Sequence, residues 1–342
     1  MRFLMKTLFA LGFVVVVLAV AGAAGGWLWM QSEVAKPGPS VETTTFEVRK
    51  GEHLGSVADR LEEQGLIRDA RTLRLHARVE GQQTAVKVGE YAIPARASVQ
   101  RILEQLVEGD VIEYRITVPE GLTTAQILRI IEKSDDLDGD MPEREIAEGT
   151  LLPDTYIFGA DTTRTQMIER MEKAQDDLLE KLWPERSDDL PIESPEEAVI
   201  LASVVEKETG IASERDLVAG LFTQRLKRGM RLESDPTVIY GVSKGEPLFN
   251  RAGQRRTLYR SELNKATDWN TYQIDGLPKT PICNPGRDAI AAVLNPADTD
   301  YVFFVADGKG GHLFAETLAE HNRNVAAYRA YEREEIARER NN

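Results

Sequence analysis

Thr7 to Met30 is a run of 24 residues without one charged side chain, and nothing else in the chain limits its fold as strongly. As an α-helix the run would extend roughly 36 Å, more than the hydrocarbon core of a bilayer. So long an apolar helix has no place on the surface of a soluble core. The chain must therefore divide into this segment and a separately folded part. Arg2 and Lys6 come before the run, so the positive-inside rule leaves the N-terminus in the cytoplasm and everything after Met30 outside. Trp27 and Trp29 stand where an aromatic belt would meet the outer interface. Ala19-Val20-Ala21 and Ala21-Gly22-Ala23 are small-residue sites of the kind signal peptidase accepts, but the apolar run is longer than a signal h-region, which favours an uncleaved anchor over residues 1–30.

The rest of the 342-residue chain is long enough for two domains. The whole chain's net charge of -14 argues against a nucleic-acid partner, because backbone-phosphate binding needs a basic face. Cys283 is the one cysteine, so no internal disulfide can form. His53, His76, His312 and His321 show no metal-ligand spacing, and the expectation is no metal and no cofactor.

Residues 31–45, with Pro37-Gly38-Pro39-Ser40, lack periodicity and read as a linker lifting the soluble part off the membrane. Beyond it the chain repeats. Val48, Gly51, Val57 and Leu61 have the same offsets as Val118, Gly121, Ile127 and Ile131, and Ile93, Ile102 and Leu106 reproduce them without the glycine. Each copy is a strand end, a turn and a short helix. The first copies are expected to pack into one α+β module at 46–112, followed by a larger α+β catalytic domain at 113–342. Phe46 to Ile67 resembles LysM-type glycan-binding modules, although one such unit recurs in many folds and a spacer role is equally open.

Ser134 to Glu145 has part of a calcium-loop spacing, but Ser134 replaces the first aspartate and Pro142 fills the ninth position, so it reads as a solvated acidic turn. Tyr301 to Ala306 is a continuous apolar run, expected as a buried strand. From Glu316 the pattern predicts a highly charged terminal helix.

Ser194-Pro195-Glu196-Glu197 marks a helix start, with a serine cap, a first-turn proline and a glutamate placed to close a capping box; Gly210 marks the stop. Ala198 to Val205 is apolar nearly all round, which places this helix centrally. On a helical wheel Glu206 shares the face of Val199, Ala202 and Ser203, whereas Glu208 points toward the side of Glu197, expected to reach solvent. Burial and the negative end of the helix dipole would both raise the pKa of Glu206, as general acid catalysis requires. A structural glutamate bonded to backbone or to an arginine fits the same pattern.

ASVVEKETG, RLKRGMRLESDPTVIYG, WNTYQIDGLPKTPICNPG, FFVADGKGGHLFAETLAEH and EGTLLPDTY occur in the order and with the wording of one family. From about Phe46 to Arg329 the chain resembles the YceG-like family of endolytic murein transglycosylases. The resemblance implies cleavage of the β-1,4 bond between N-acetylmuramic acid and N-acetylglucosamine within peptidoglycan glycan strands, leaving 1,6-anhydromuramyl ends. It implies that the catalytic glutamate of the VEKET-type motif is Glu206. It also implies a periplasmic or otherwise external location on the cytoplasmic (inner) membrane, action on nascent strands, and peptidoglycan synthases as partners. Asp235, Thr237, Tyr240, Asn270, Thr271 and Tyr272 match its DPTV and NTY segments and are candidate substrate contacts. Asn284, with Pro285 and Gly286, belongs to a loop expected to shape the cleft. For each of these, turn geometry or core hydrogen bonding is the competing role. Lys279 and Thr280 depart from the family's Pro-Gly.

Two other readings stay open. A glycan-binding scaffold would release no anhydro ends. A water-using muramidase would need a second carboxylate, such as Glu208, Glu214 or Asp235, facing Glu206, and would release reducing ends.

Overall fold

The computed structural model describes residues 2–341. Helices joined by a few short strands make up the chain, which clusters into two compact units. One is Met1–Tyr114 with Ile157–Asp161, the other Arg115–Tyr156 with Thr162–Asn342.

The smaller unit begins with α1 (Arg2–Val34), of which Leu11–Val34 is long and apolar enough to cross a membrane. The helix continues past Met30, and the stretch after it is no free linker. Met30 and Val34 are buried, the Gly38 N–H donates to Arg96 O at 3.1 Å, and the Arg96 N–H donates to Ser40 O at 2.8 Å. Then follow β1 (Thr44–Val48), α2 (Leu54–Glu63), α3 (Ala70–Val79), β2 (Gly89–Ile93) and α4 (Val99–Glu108). β1 and β2 pair antiparallel with Phe46 opposite Tyr91. Both side chains bury against Val57, Leu61, Ile102 and Leu106, the positions that repeat in the sequence.

The third copy of the repeat opens the larger unit. β3 (Tyr114–Thr117) leads through Gly121, whose φ of 74° suits a residue without Cβ, into α5 (Thr124–Glu132). A capping box between Thr123 and Gln126 starts this helix. β3 pairs with β4 (Thr155–Phe158), and α6 (Arg164–Leu182) follows. The acidic turn at 134–145 is organised by an arginine: the Arg164 guanidinium donates to Ser134 O and Gly139 O, both at 2.8 Å.

The core of this unit is α7 (Pro195–Glu208), α8 (Arg215–Lys227) and, after α9 (Asp235–Ser243) and α10 (Arg260–Leu263), α11 (Arg287–Leu294). α7 buries Ala198, Val199, Leu201, Ala202, Val204 and Val205, as its nearly uniform apolar sequence demands. Ser194 caps it by accepting from the Glu197 N–H, while the Glu197 carboxylate reaches Glu193 N at 2.7 Å, one residue earlier than a capping box requires. Its stop is Thr209, turned extended at φ -136°, and not a left-handed glycine. β5 (Phe303–Ala306) pairs antiparallel with β6 (His312–Ala315) and is half-buried, not enclosed as its apolar run suggests. α12 (Leu318–Asn341) is the charged terminal helix.

Candidate active site

The last turn of α7 sends its two glutamates into different surroundings. Glu206 accepts a hydrogen bond from the Gly286 N–H, 3.0 Å from its Oε2, at the start of α11. The Glu120 side chain packs directly over Gly286, where a Cβ would displace its carboxylate. Burial raises the Glu206 pKa and Glu120 adds to the effect, while the Gly286 N–H, Arg215 and Lys207 oppose it. Lys207 donates to Gly121 O at 3.1 Å. Glu206 and Lys207 thus bind the end of α7 to the loops before α5 and α11.

Glu208 borders a cavity of about 380 Å³. Its other walls are Arg225 of α8, Leu232 and Glu233 of the turn before α9, Asp235 at the start of α9, Tyr272, Phe303 and Phe304 of β5, and Leu318 and His321 of α12. Burial is the leading cause that pushes its pKa up to about 7, and Asp235 acts in the same sense. The Ser234 hydroxyl, His312 and Arg225 pull the other way. The wheel therefore misplaced Glu208. It is half-buried, because the 232–235 turn and β5, both remote in sequence, close over the side of α7 that was expected to face water.

The matching segments of the DPTV and NTY motifs meet here in two layers. The inner layer is buried and bonded within the protein. Thr237 and Thr271 face each other with hydroxyls 2.8 Å apart, and the Ser234 N–H donates to Thr271 Oγ1 at 3.0 Å. Asn270 donates to Lys265 O and Leu263 O and accepts from the Tyr272 N–H. The outer layer meets the cavity: the Tyr272 hydroxyl donates to Asp235 Oδ1 at 2.8 Å. Burial, helped by Asp235, raises the Tyr272 pKa and keeps the phenol protonated.

Tyr240 and Asn284 lie apart from this cavity, in a buried network on Glu148. That carboxylate accepts from Thr124 N (2.7 Å), Thr124 Oγ1 (3.1 Å), Tyr240 OH (3.0 Å) and Asn284 Nδ2 (3.2 Å). Asn284 also accepts from Leu151 N at 2.9 Å, so its side chain is spent on holding loops. Lys279 pairs with Asp268, and Thr280 accepts from the Trp269 indole at 2.9 Å. Both line another cavity, which leaves the contour beside Glu208 independent of the Pro-Gly departure.

Two site residues escaped the sequence reading. Arg225 is buried and donates to Val302 O at 2.6 Å and Leu232 O at 2.9 Å, so one guanidinium fastens α8 to the residue before β5 and to the turn. In that turn Glu233 sits at φ 53°, a strained conformation for a residue with a Cβ, while its carboxylate pairs with Arg225 at 3.2 Å. The arginine lies within RLKRGMRLESDP, and the run of that motif into DPTV was the available signal. His312 has its backbone N–H and its ring Nδ1 on Glu214, at 3.0 and 2.7 Å, and its ring is edge-on to Phe304. Among the described residues no group of three metal-ligating side chains is assembled.

Residues 46–327 match the profile of the YceG-like family. Among curated proteins, the endolytic murein transglycosylase of Bacillus subtilis strain 168 is 27% identical over 320 residues, covering 84% of this chain and 86% of that one. The protein of the same name from Streptococcus pneumoniae D39 is 26% identical over 371 residues, covering 94% of this chain and 65% of its own length. A crystal structure of a YceG-like protein from Listeria monocytogenes aligns with 26% identity and a TM-score of 0.46, over 83% of this chain and 99% of that one. The profile spans most of the chain, including both acids of α7, the Glu208 cavity and the Glu148 network, and the chain therefore belongs to the YceG-like family.

Proposed function

We propose that this chain is a membrane-anchored endolytic lytic transglycosylase, and that Glu208 is its proton donor and acceptor. What carries the reading is a carboxyl with a pKa near 7, the value a general acid needs at neutral pH, bordering a cavity that Asp235 and Tyr272 also line.

Protonated Glu208 gives its proton to the oxygen of the scissile β-1,4 bond as the bond to C1 of N-acetylmuramic acid breaks. The sugar's own C6 hydroxyl then attacks C1 and passes its proton to the Glu208 carboxylate. That closes the 1,6-anhydro ring and restores the acid with no water consumed. Asp235 and Tyr272 contact the sugar, and the positive charge of C1 develops beside the carboxylates of Glu208, Asp235 and Glu233. No metal or cofactor enters the scheme.

Glu206 is the second reading, because burial raises its pKa too and it occupies the position implied by the family motif. Against it, its carboxylate already accepts from the start of α11.

Membership of the family and the murein transglycosylase names of the relatives support the substrate class. The apolar helix supports an anchor that holds the enzyme outside the inner membrane, N-terminus in the cytoplasm, where nascent strands are polymerised. Termination of those strands beside peptidoglycan synthases follows as part of the proposal. The strand–helix–helix–strand order of the smaller unit supports a LysM-like glycan-holding role for 46–112.

Muropeptide mass spectrometry after digestion of purified glycan strands tests the scheme with two variants. Glu208→Gln should lose anhydro products by about 10³-fold or more, and Glu206→Gln should keep most of them. The reverse pattern assigns the chemistry to Glu206. Reducing ends in place of anhydro ends would mean that water is the nucleophile.

A further inference from the structure

In the smaller unit α3 packs against α1, and its outward face is unusual for so acidic a protein. Leu73, His76 and Ala77 turn inward and are buried. Arg71, Leu75, Arg78 and Val79 are exposed, Leu75 by 47% and Val79 by 44%. At 100° per residue these four fall within an arc of about 100°. No acid lies on that arc: Asp69 and Glu80 are both on the far side of the helix. Among the described residues Arg78 has no carboxylate partner, and Arg71 pairs only with Asp69 at the cap. Two arginines interleaved with two exposed aliphatic side chains make a basic amphipathic face, the pattern that binds the interface of an anionic bilayer.

Position supports the same partner. Trp27 and Trp29 are exposed at the end of the apolar run, and Met30 and Val34 are buried one to five residues after Trp29. A helix rises about 1.5 to 7.5 Å over that span, and the headgroup layer of one leaflet is about 5 to 7 Å deep. If α1 crosses a membrane, the helix packed on its last turn lies at headgroup level.

We propose that the exposed face of α3 rests on the bilayer into which α1 inserts. Arg71 and Arg78 pair with anionic lipid headgroups, and Leu75 and Val79 reach the acyl boundary. The inference rests on reading α1 as a membrane anchor and adds a second, electrostatic contact to it.

The test uses the full chain. Leu75→Cys carries a solvent-sensitive fluorophore, and labelling is selective because Cys283 is fully buried. The labelled protein is reconstituted in lipid nanodiscs of phosphatidylcholine alone or mixed with phosphatidylglycerol, each containing lipids with a nitroxide near the headgroup. In anionic discs the probe should be quenched, and the quenching should be lost at 1 M salt, where the Debye length shrinks to about 3 Å. Arg71→Glu with Arg78→Glu should also abolish it, since each arginine near such a surface is worth about a fivefold change in association. A probe that stays bright in anionic discs, or is quenched equally without anionic lipid, overturns the inference. Failure of the protein to co-purify with discs removes the anchor reading itself.

Discussion

At the scale of single residues the proposed chemistry depends on keeping a proton on a side chain that would ordinarily give it up. A carboxyl whose pKa is raised in the folded state ionises first in the unfolded chain. Between the ordinary value of 4.5 and about 7, the native state binds a proton that the unfolded state has released. Stability is then highest below that window and declines as pH rises through it. The effect on Glu208 amounts to ~3 kcal/mol at most. Glu208→Gln removes that penalty along with the chemistry. Urea unfolding should show the variant more stable than the parent at pH 8, with the difference shrinking by pH 5. Turnover of the parent should fall as pH rises past about 7, in step with loss of the proton. A rate that stays level to pH 9 would sink the assignment of Glu208 as acid.

At the scale of elements, what holds the cavity open is a stitch between two loops. The turn before α9 hangs on Thr271 and Thr237, whose hydroxyls satisfy each other and the Ser234 N–H. Thr271→Val leaves that buried N–H without an acceptor, which costs about 1 to 3 kcal/mol. The same change frees the strained Glu233 turn, so turnover should drop further than KM rises, and Thr271→Ser should restore both. Equal loss in the serine variant would assign the threonine a packing role instead. These elements also mark how far the sequence could be read. Strand, turn and helix recurred at fixed offsets because each copy buries the same positions, and Val57, Leu61, Ile127 and Ile131 are all fully buried. The start of α7 was legible for a similar reason, since Ser194 and Pro195 act on their own neighbours. The environment of Glu208 was not. Which side of a helix end is covered depends on chain that returns from residues 232 and 303, and no local period encodes that return. The motif holds Glu206 and Glu208 within one turn, and long-range packing gives the two acids different surroundings.

At the scale of the whole molecule, the two units have separate cores, and the proposed chemistry belongs to one of them. All the walls of the Glu208 cavity come from the larger unit. The smaller unit is where α1 ends, and its core closes on that helix through Val34 at 0% exposure and Met30 at 5%. The end of α1 is thus part of the fold. Residues that composition alone marks as a linker, Pro37 to Ser40, are bonded to the chain at Arg96. Val34→Ala opens a cavity where α1 meets α3 and should destabilise the smaller unit by about 2 kcal/mol. Because the larger unit has its own core, its stability should not follow. Hydrogen exchange on the full chain in detergent separates the two: amides of β1, α2, α3, β2 and α4 should exchange faster in the variant, and those of α7, α8 and α11 should be unchanged. Release of anhydro ends from soluble glycan should also be unaffected. Faster exchange in α7 and α11 would mean that the two units unfold as one, and the anchor would then bear on the stability of the catalytic site as well as on its location.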